Sequence, residues 1–511
     1  MTCGYDEHRD RENLRLLKKA IENFIDRCNR PPSSSNSTRR TVFFFPGGMA
    51  SRLTCAKTKF DPSNPQKYEY DPIWVIPRTF VGGAPDLAMH RDDNGTFRDK
   101  NDRFIIADAP LSCLGLTPHD RFIRWCEGQN ADPFVFPWDW RRRMEDTSKF
   151  FIGKFLPFFQ DRVMKKGCPD PLACFALVGH SAGGMIANLI LRSDDPILAT
   201  MTHVITVGTP FYGYAGHLHR WFEGVKALND FDRFKQSMME TVASLPGPYV
   251  YNFLDEDTFN SINKVTLLAG DEFPLRNYPS MDATNHSLRA DPYNPQTDGD
   301  KTRYPATTGF SRDELDYAKK QFQQLASPMD PNLLKKFHNI RGVRTNANGD
   351  PHNNTVGGLR WDWIDDSYNA HDDTPIRNNR DLVPGDDTQP AFTARLATNL
   401  DRCRTVKATD IAHICLMNHT QVLMAIQAIL CPDEAEMKLP EPPRQPEPVS
   451  DQDVVDFLTW MSTHWLDIRD FTSFEALDEE KLLPQTFNLA GIALRFLADM
   501  MRGVGPERPD A

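Results

Sequence analysis

Ser181 stands in "GHSAGG" (residues 179–184), between the apolar run Phe175–Val178 and a segment in which Met185, Ile186, Leu189 and Ile190 recur at helical spacing. A buried strand that must become a helix within a few residues leaves room only for small side chains at the corner. Gly179 and Gly183 flank the serine two residues to either side, with Ala182 and Gly184 beside them. A corner of this kind lifts a hydroxyl clear of the sheet, where it can attack an acyl carbonyl. A serine hydroxyl is a poor nucleophile until a base takes its proton, and an imidazole base needs a carboxylate to hold its tautomer and balance its charge.

"TVKATDIAHICLMNHTQVLMAI" supplies two imidazoles. His413 falls in the loop after the last strand and before a helix, and is favoured over His419, six residues on, where the apolar pattern shows a helix already begun. His180 adjoins the serine but points away from it at such a corner, and reads as a packing or pocket-lining residue. For the carboxylate, the Gly-Asp turn in "DLVPGDDTQPAF" offers Asp386, with Asp387 capping the turn that follows. Asp271 in "LLAGDEFP" stays open as a rival, because an apolar run of strand type leads directly into it.

Acyl transfer also develops negative charge on the carbonyl oxygen, and each rigid backbone N–H aimed at that oxygen is worth about 3 kcal/mol. Ala182, directly after the serine, is one candidate donor. The second is Gly48 or Met49 in "TVFFFPGGMASRL", where a strand runs into a Pro-Gly-Gly loop that lets backbone approach a substrate. "HLH" at 217–219 has no third ligand in sight, so no metal is expected, and the chemistry calls for no cofactor.

The elements that must hold these groups follow from the rhythm of the chain. Leu14, Leu17, Ile21, Phe24, Ile25 and Cys28 form one helical stripe, followed by the connector "NRPPSSSNSTRR". β-like runs then come at 41–45, 134–136, 175–178, 203–207, 265–269 and 404–408, spaced for crossover helices, which predicts a mostly parallel α/β sheet. Residues 281–380 break the rhythm with Asn, Asp, Gly and Pro and read as an insertion; with 211–264 they are expected to form a cap. The expected organisation is an N-terminal helix and connector (1–40), the main domain (41–431), a Pro-rich linker (432–453) and a helical extension (454–511).

The chain has 511 residues, 59 Lys plus Arg and 70 Asp plus Glu, a formal charge of −11 spread along its length that gives no footing for nucleic acid. The first 25 residues are too charged for a secretory leader, no transmembrane span is apparent, and the 10 cysteines include no CxxC pair, all of which predict a cytoplasmic protein with reduced thiols. The helix expected in "NLAGIALRFLADMMRG" has an apolar stripe better suited to core packing than to a membrane, although a transient contact with a lipid surface stays open.

Taken together, the motifs resemble those of the lecithin:cholesterol acyltransferase family of α/β-hydrolases. "FPGGMASRL" is similar to that family's oxyanion loop, "FPWDWRRR" (136–143) to its Pro-aromatic-Asp-Trp-Arg motif, "GHSAGG" to its nucleophile elbow and "GDDTQP" to its acid motif, in the same order. "VGTPFYG" and "LPGPYVYNFL" look like its pattern around the cap. Gln389 stands where the family usually has valine. The resemblance covers about residues 41–430 and implies an α/β-hydrolase fold with cap insertions, a triad of Ser181, Asp386 and His413, an oxyanion hole of Gly48 or Met49 with Ala182, and lipid-like acyl esters as substrates, hydrolysed or passed to an alcohol. The alternatives are a hydrolase of bulky non-lipid amides, lactones or esters and, from another class, an inactive lipid-binding scaffold.

Overall fold

The structure, a computed structural model, describes residues 5–29, 40–61, 68–74, 87–92, 96–111, 118–128, 131–214, 217, 241–242, 244–251, 256–268, 311–362, 377–397 and 400–432. Asp271, the linker beyond residue 432 and the helical extension lie outside them.

The amphipathic helix α1 (Tyr5–Cys28) buries Leu17, Ile21, Phe24 and Ile25 and leads to β1 (Arg40–Phe45). The chain then leaves the main sheet through β2 (Ser51–Ala56), β3 (Tyr70–Trp74), the short pair β4 (Met89–Arg91) and β5 (Phe97–Asp99), and β6 (Ile105–Pro110). Of these, β3, β2 and β6 form an antiparallel sheet of their own. After α2 (Asp120–Gly128) and β7 (Ala131–Val135), a long helix runs as α3 (Met144–Phe150) and α4 (Leu156–Lys165), joined by a π turn over Phe151–Phe155. The turn lies just before Pro157, which has no N–H to give to an α-type bond, and there the Leu156 N–H reaches back to Phe151 O.

Strand β8 (Phe175–His180), helix α5 (Ala182–Leu191) and strand β9 (Met201–Val207) follow. Beyond them come a 3₁₀ turn (Gly247–Tyr251), α6 (Glu256–Leu268), α7 (Arg312–Ala326), α8 (Pro331–Lys336) and β10 (Phe337–Arg344). The antiparallel pair β11 (Asn353–Asp362) and β12 (Arg377–Pro384), β13 (Cys403–Ala408), a second 3₁₀ turn (His413–Asn418) and α9 (Thr420–Leu430) complete the described chain.

The main sheet has the order β13-β10-β9-β8-β1-β7 with every pairing parallel. Alternate residues feed its two faces, as the two-residue period of a strand requires. Phe43, Phe45, Phe175, Leu177, Val204 and Phe337 pack on one side with α1, α3–α4 and α5, while Val42, Phe44, Ala176, Val178, Ile205, Val207 and Ile340 pack on the other with α2 and α9. This is a parallel α/β fold flanked by helices on both faces, with the serine corner at the C-terminal end of an interior strand. No described helix is long and apolar enough to cross a membrane.

Two expectations are corrected. The run at 265–269, read as a strand, forms the end of α6 as far as Leu268. Residues 281–380 are not all insertion: β10, within them, sits between β9 and β13 in the main sheet. Its apolar pattern is interrupted by polar groups that find partners inside: Asn339 Nδ2 donates to Thr206 Oγ1 at 3.1 Å, and Arg341 donates to Thr405 Oγ1 and Ala391 O, each at 2.8 Å. Polar residues with internal partners make a core strand look like surface.

Candidate active site

Ser181 is the residue before the first turn of α5, with φ 53° and ψ −128°, a conformation that L-residues rarely hold. Its own N–H donates to Val207 O of β9 at 2.8 Å, fixing the corner against the neighbouring strand. The glycines around it are required by crowding rather than flexibility. A Cβ on Gly183 would lie 2.1 Å from Phe45 O, and one on Gly184 1.8 Å from Thr209 Oγ1.

His413 opens the 3₁₀ turn after β13. The Ser181 Oγ–H donates to its Nε2 at 2.9 Å, and its Nδ1–H donates to Asp386 Oδ2 at 2.8 Å. The backbone repeats the link, with His413 N donating to Asp386 O at 2.8 Å. Asp386 is completely buried, and its other oxygen accepts from Gln389 N at 2.6 Å and Thr388 N at 3.2 Å. It arrives on an unexpected path: β10 is followed by the β11–β12 excursion, which returns to deliver Gly385 O to Arg344 N at 2.8 Å, so the acid still sits beside the C-terminal end of a sheet strand. Gly208, just past β9 with φ 56°, makes the close approach possible; a Cβ there would be 3.2 Å from Asp386 Oδ2 and 3.4 Å from His413 Cε1.

The Pro-Gly-Gly loop lies directly over the serine. A Cβ on Gly47 would be 3.2 Å from Ser181 Cβ, and one on Gly48 3.7 Å from Ala182 Cβ. Two tryptophans tie the loop by its carbonyls: Trp138 Nε1 donates to Pro46 O at 2.9 Å and Trp74 Nε1 to Met49 O at 2.8 Å. Met49 has φ 65° and is 44 % exposed, so the loop is strained and open to solvent at its tip. Ala182 is the first helical residue of α5, where a backbone N–H has no partner within the helix. Gly47 is thus brought against Ser181, and Gly48 against Ala182.

The other candidates separate. His419 pairs with exposed Asp410 at 3.2 Å, away from the serine. The strand expected to lead into Asp271 is helical, which removes the argument for that residue. His180 packs its ring 5.1 Å from that of His413 and donates from Nε2 to His413 O at 2.9 Å. Burial holds its pKa well below the usual histidine range, so it stays neutral and anchors His413 through the backbone. Behind it His119, pushed down to about 3 by burial, meets the His180 ring edge-on at 5.4 Å. Asp387 does more than cap a turn: it accepts from Thr388 Oγ1 at 3.0 Å and adjoins His413 N, and burial together with the Asp386 carboxylate pushes its pKa up to about 6.

Sequence reasoning missed the supports. Gln389 Nε2 donates to Gly213 O at 3.2 Å and to Thr393 Oγ1, tying the acid loop to the segment after β9. In "FPWDWRRR", Arg141 forks onto Asp139 at 2.8 and 2.7 Å, and Arg141 O accepts from Gly247 N at 2.8 Å. That contact seats the Gly247–Tyr251 turn against the loop, and a motif of buried charges flanked by aromatics is the signal that could have indicated it.

No family profile and no curated protein matches this sequence. Among solved structures, the fold is similar to a chain in the crystal structure of a Tle4–Tli4 complex, at 12 % identity and a TM-score of 0.41, over 76 % of this chain and 98 % of that one.

Proposed function

We propose that this protein is a serine hydrolase or acyltransferase of acyl esters of lipid type, working through Ser181, His413 and Asp386 and an acyl-enzyme. The observation that carries the reading is the unbroken relay from Ser181 Oγ to His413 Nε2 at 2.9 Å and from His413 Nδ1 to Asp386 Oδ2 at 2.8 Å, with the serine held at a positive φ. In the proposed cycle Ser181 Oγ attacks the carbonyl while its proton passes to His413 Nε2, and charge on the carbonyl oxygen meets the N–H groups of Ala182 and of Gly48 or Met49. Collapse of that adduct expels an alcohol, which takes the proton from His413. Water or an alcohol acceptor then resolves the ester by the same steps in reverse. Asp386 holds the Nδ1–H tautomer and offsets the imidazolium charge.

The lipid character of the substrate is supported by the motif resemblance and by Met49, an exposed apolar side chain at the tip of the oxyanion loop. The test is turnover of p-nitrophenyl esters graded from two to sixteen acyl carbons, alongside matching anilides. Wild type should prefer the longer esters, and Ser181→Ala should lose roughly 10⁴- to 10⁶-fold in rate with its fold intact. A preference for anilides or for acetyl esters would remove the lipid assignment.

A further inference from the structure

The 3₁₀ turn Gly247–Tyr251 is pressed so closely onto the Trp140–Arg142 backbone that a Cβ on Gly247 would lie 2.4 Å from Trp140 O. Tyr214 N holds its far end by donating to Tyr251 O at 3.0 Å, and the Tyr251 ring meets that of His217 edge-on at 5.4 Å. The turn therefore has little freedom, and it aims the phenol at one place. A Cβ on Gly48 would be 2.8 Å from Tyr251 Oη and 3.7 Å from Ala182 Cβ, so the hydroxyl lies against the loop that, with Ala182, lines the space above Ser181. That hydroxyl is buried and makes no hydrogen bond among the described residues. A buried donor without a partner is costly and is retained where something else is gained.

We propose that the Tyr251 hydroxyl is a third oxyanion donor, directed at the carbonyl oxygen of the substrate beside the backbone N–H groups of Ala182 and of Gly48 or Met49. The proposal rests on Ser181 being the nucleophile. The phenol donates its proton's hydrogen bond to the oxygen as charge develops and keeps the proton throughout, so no bond to hydrogen is broken. Burial, with Tyr214 nearby, raises its pKa above the usual phenol range, which keeps it a neutral donor at any working pH. Its missing ground-state partner is what such a role requires, because a donor already engaged in the resting protein would have to give up that bond as the reaction proceeds.

Tyr251→Phe removes the hydroxyl and keeps the ring on His217. Loss of one oxyanion donor should lower kcat roughly 10²-fold. KM should change little, and a trifluoromethyl ketone, whose serine adduct carries the oxyanion, should bind roughly 10²-fold more weakly. Since the hydroxyl has no partner to lose among the described residues, Tm should stay level or rise. Wild type that labels with a fluorophosphonate and turns over ester, with a Tyr251→Phe variant within about threefold of it in kcat, would overturn the tyrosine's role alone. A variant in which kcat and Tm fall together would show a structural hydroxyl and would overturn it also. Wild type that never labels at Ser181 would overturn the nucleophile and the tyrosine's role with it.

Discussion

Asp386→Asn isolates the electrostatic part of the site, because the structure fixes which way the new amide must face. In wild type one oxygen of the completely buried carboxylate accepts from two backbone amides, Gln389 N at 2.6 Å and Thr388 N at 3.2 Å. The other accepts from His413 Nδ1 at 2.8 Å. An asparagine at this position has one acceptor oxygen, and turning its NH₂ toward two N–H donors would leave all of them unmatched. The oxygen therefore stays with the amides and the NH₂ faces His413. That selects the imidazole tautomer with a bare Nδ1 and a protonated Nε2, which can no longer accept the Ser181 proton. The expected loss in kcat is roughly 10⁴-fold, about 5 kcal/mol of transition-state stabilisation, with KM nearly unchanged. Steady-state hydrolysis of a chromogenic ester by wild type and variant, with circular dichroism to check folding, measures it. A folded Asp386→Asn protein within tenfold of wild type would refute the reasoning.

Other outcomes follow from the same geometry. His413→Ala should lose nearly as much rate as Ser181→Ala, whereas His419→Ala, which breaks the pair with exposed Asp410, should keep most activity in the same assay. Gly208→Ala places a Cβ 2.6 Å from Leu416 Cδ1 and 3.2 Å from Asp386 Oδ2 at φ 56°, and should cost at least tenfold in kcat together with a lower Tm. The Asp387 carboxyl has a folded pKa of about 6 against roughly 3.9 in an unfolded chain, so the folded state binds more protons between those values. It therefore contributes stability that is full below pH 4 and is lost as pH rises through 6. Asp387→Asn should remove that loss, gaining up to about 3 kcal/mol over wild type at pH 7 and little at pH 4 in urea titrations; a gain equal at both would count against a strained carboxylate.

What could be read from the chain was what short segments encode by themselves. The serine corner needs Gly179 and Gly183 because backbone atoms approach to within a Cβ's reach, and the Pro-Gly-Gly loop needs Gly47 and Gly48 because the side chains of Ser181 and Tyr251 do, so both left a local trace. The order nucleophile, acid, base could also be followed to Asp386 and His413, which the fold brings within hydrogen-bond distance. What escaped was fixed by tertiary partners. Strand β10 can carry Asn339 and Arg341 because Thr206, Thr405 and Ala391 accept hydrogen bonds from them, and no window of sequence shows those partners. The run at 265–269 is short and apolar, a pattern that suits strand or helix equally, and the segment before it carried the chain into α6. Tyr251 is one tyrosine among 12 until the Gly247–Tyr251 turn is docked on Trp140–Arg142 and Gly48 comes beneath its hydroxyl.

The most direct measurement of the central claim is the mass of the intact protein after reaction with a fluorophosphonate, followed by mapping of the modified peptide. One phosphonyl group per chain, on the peptide that contains Ser181, absent from Ser181→Ala and strongly slowed in His413→Ala, is the expected result. Undiminished labelling of Ser181→Ala at another serine, or a folded wild-type protein that takes no label, would contradict the account.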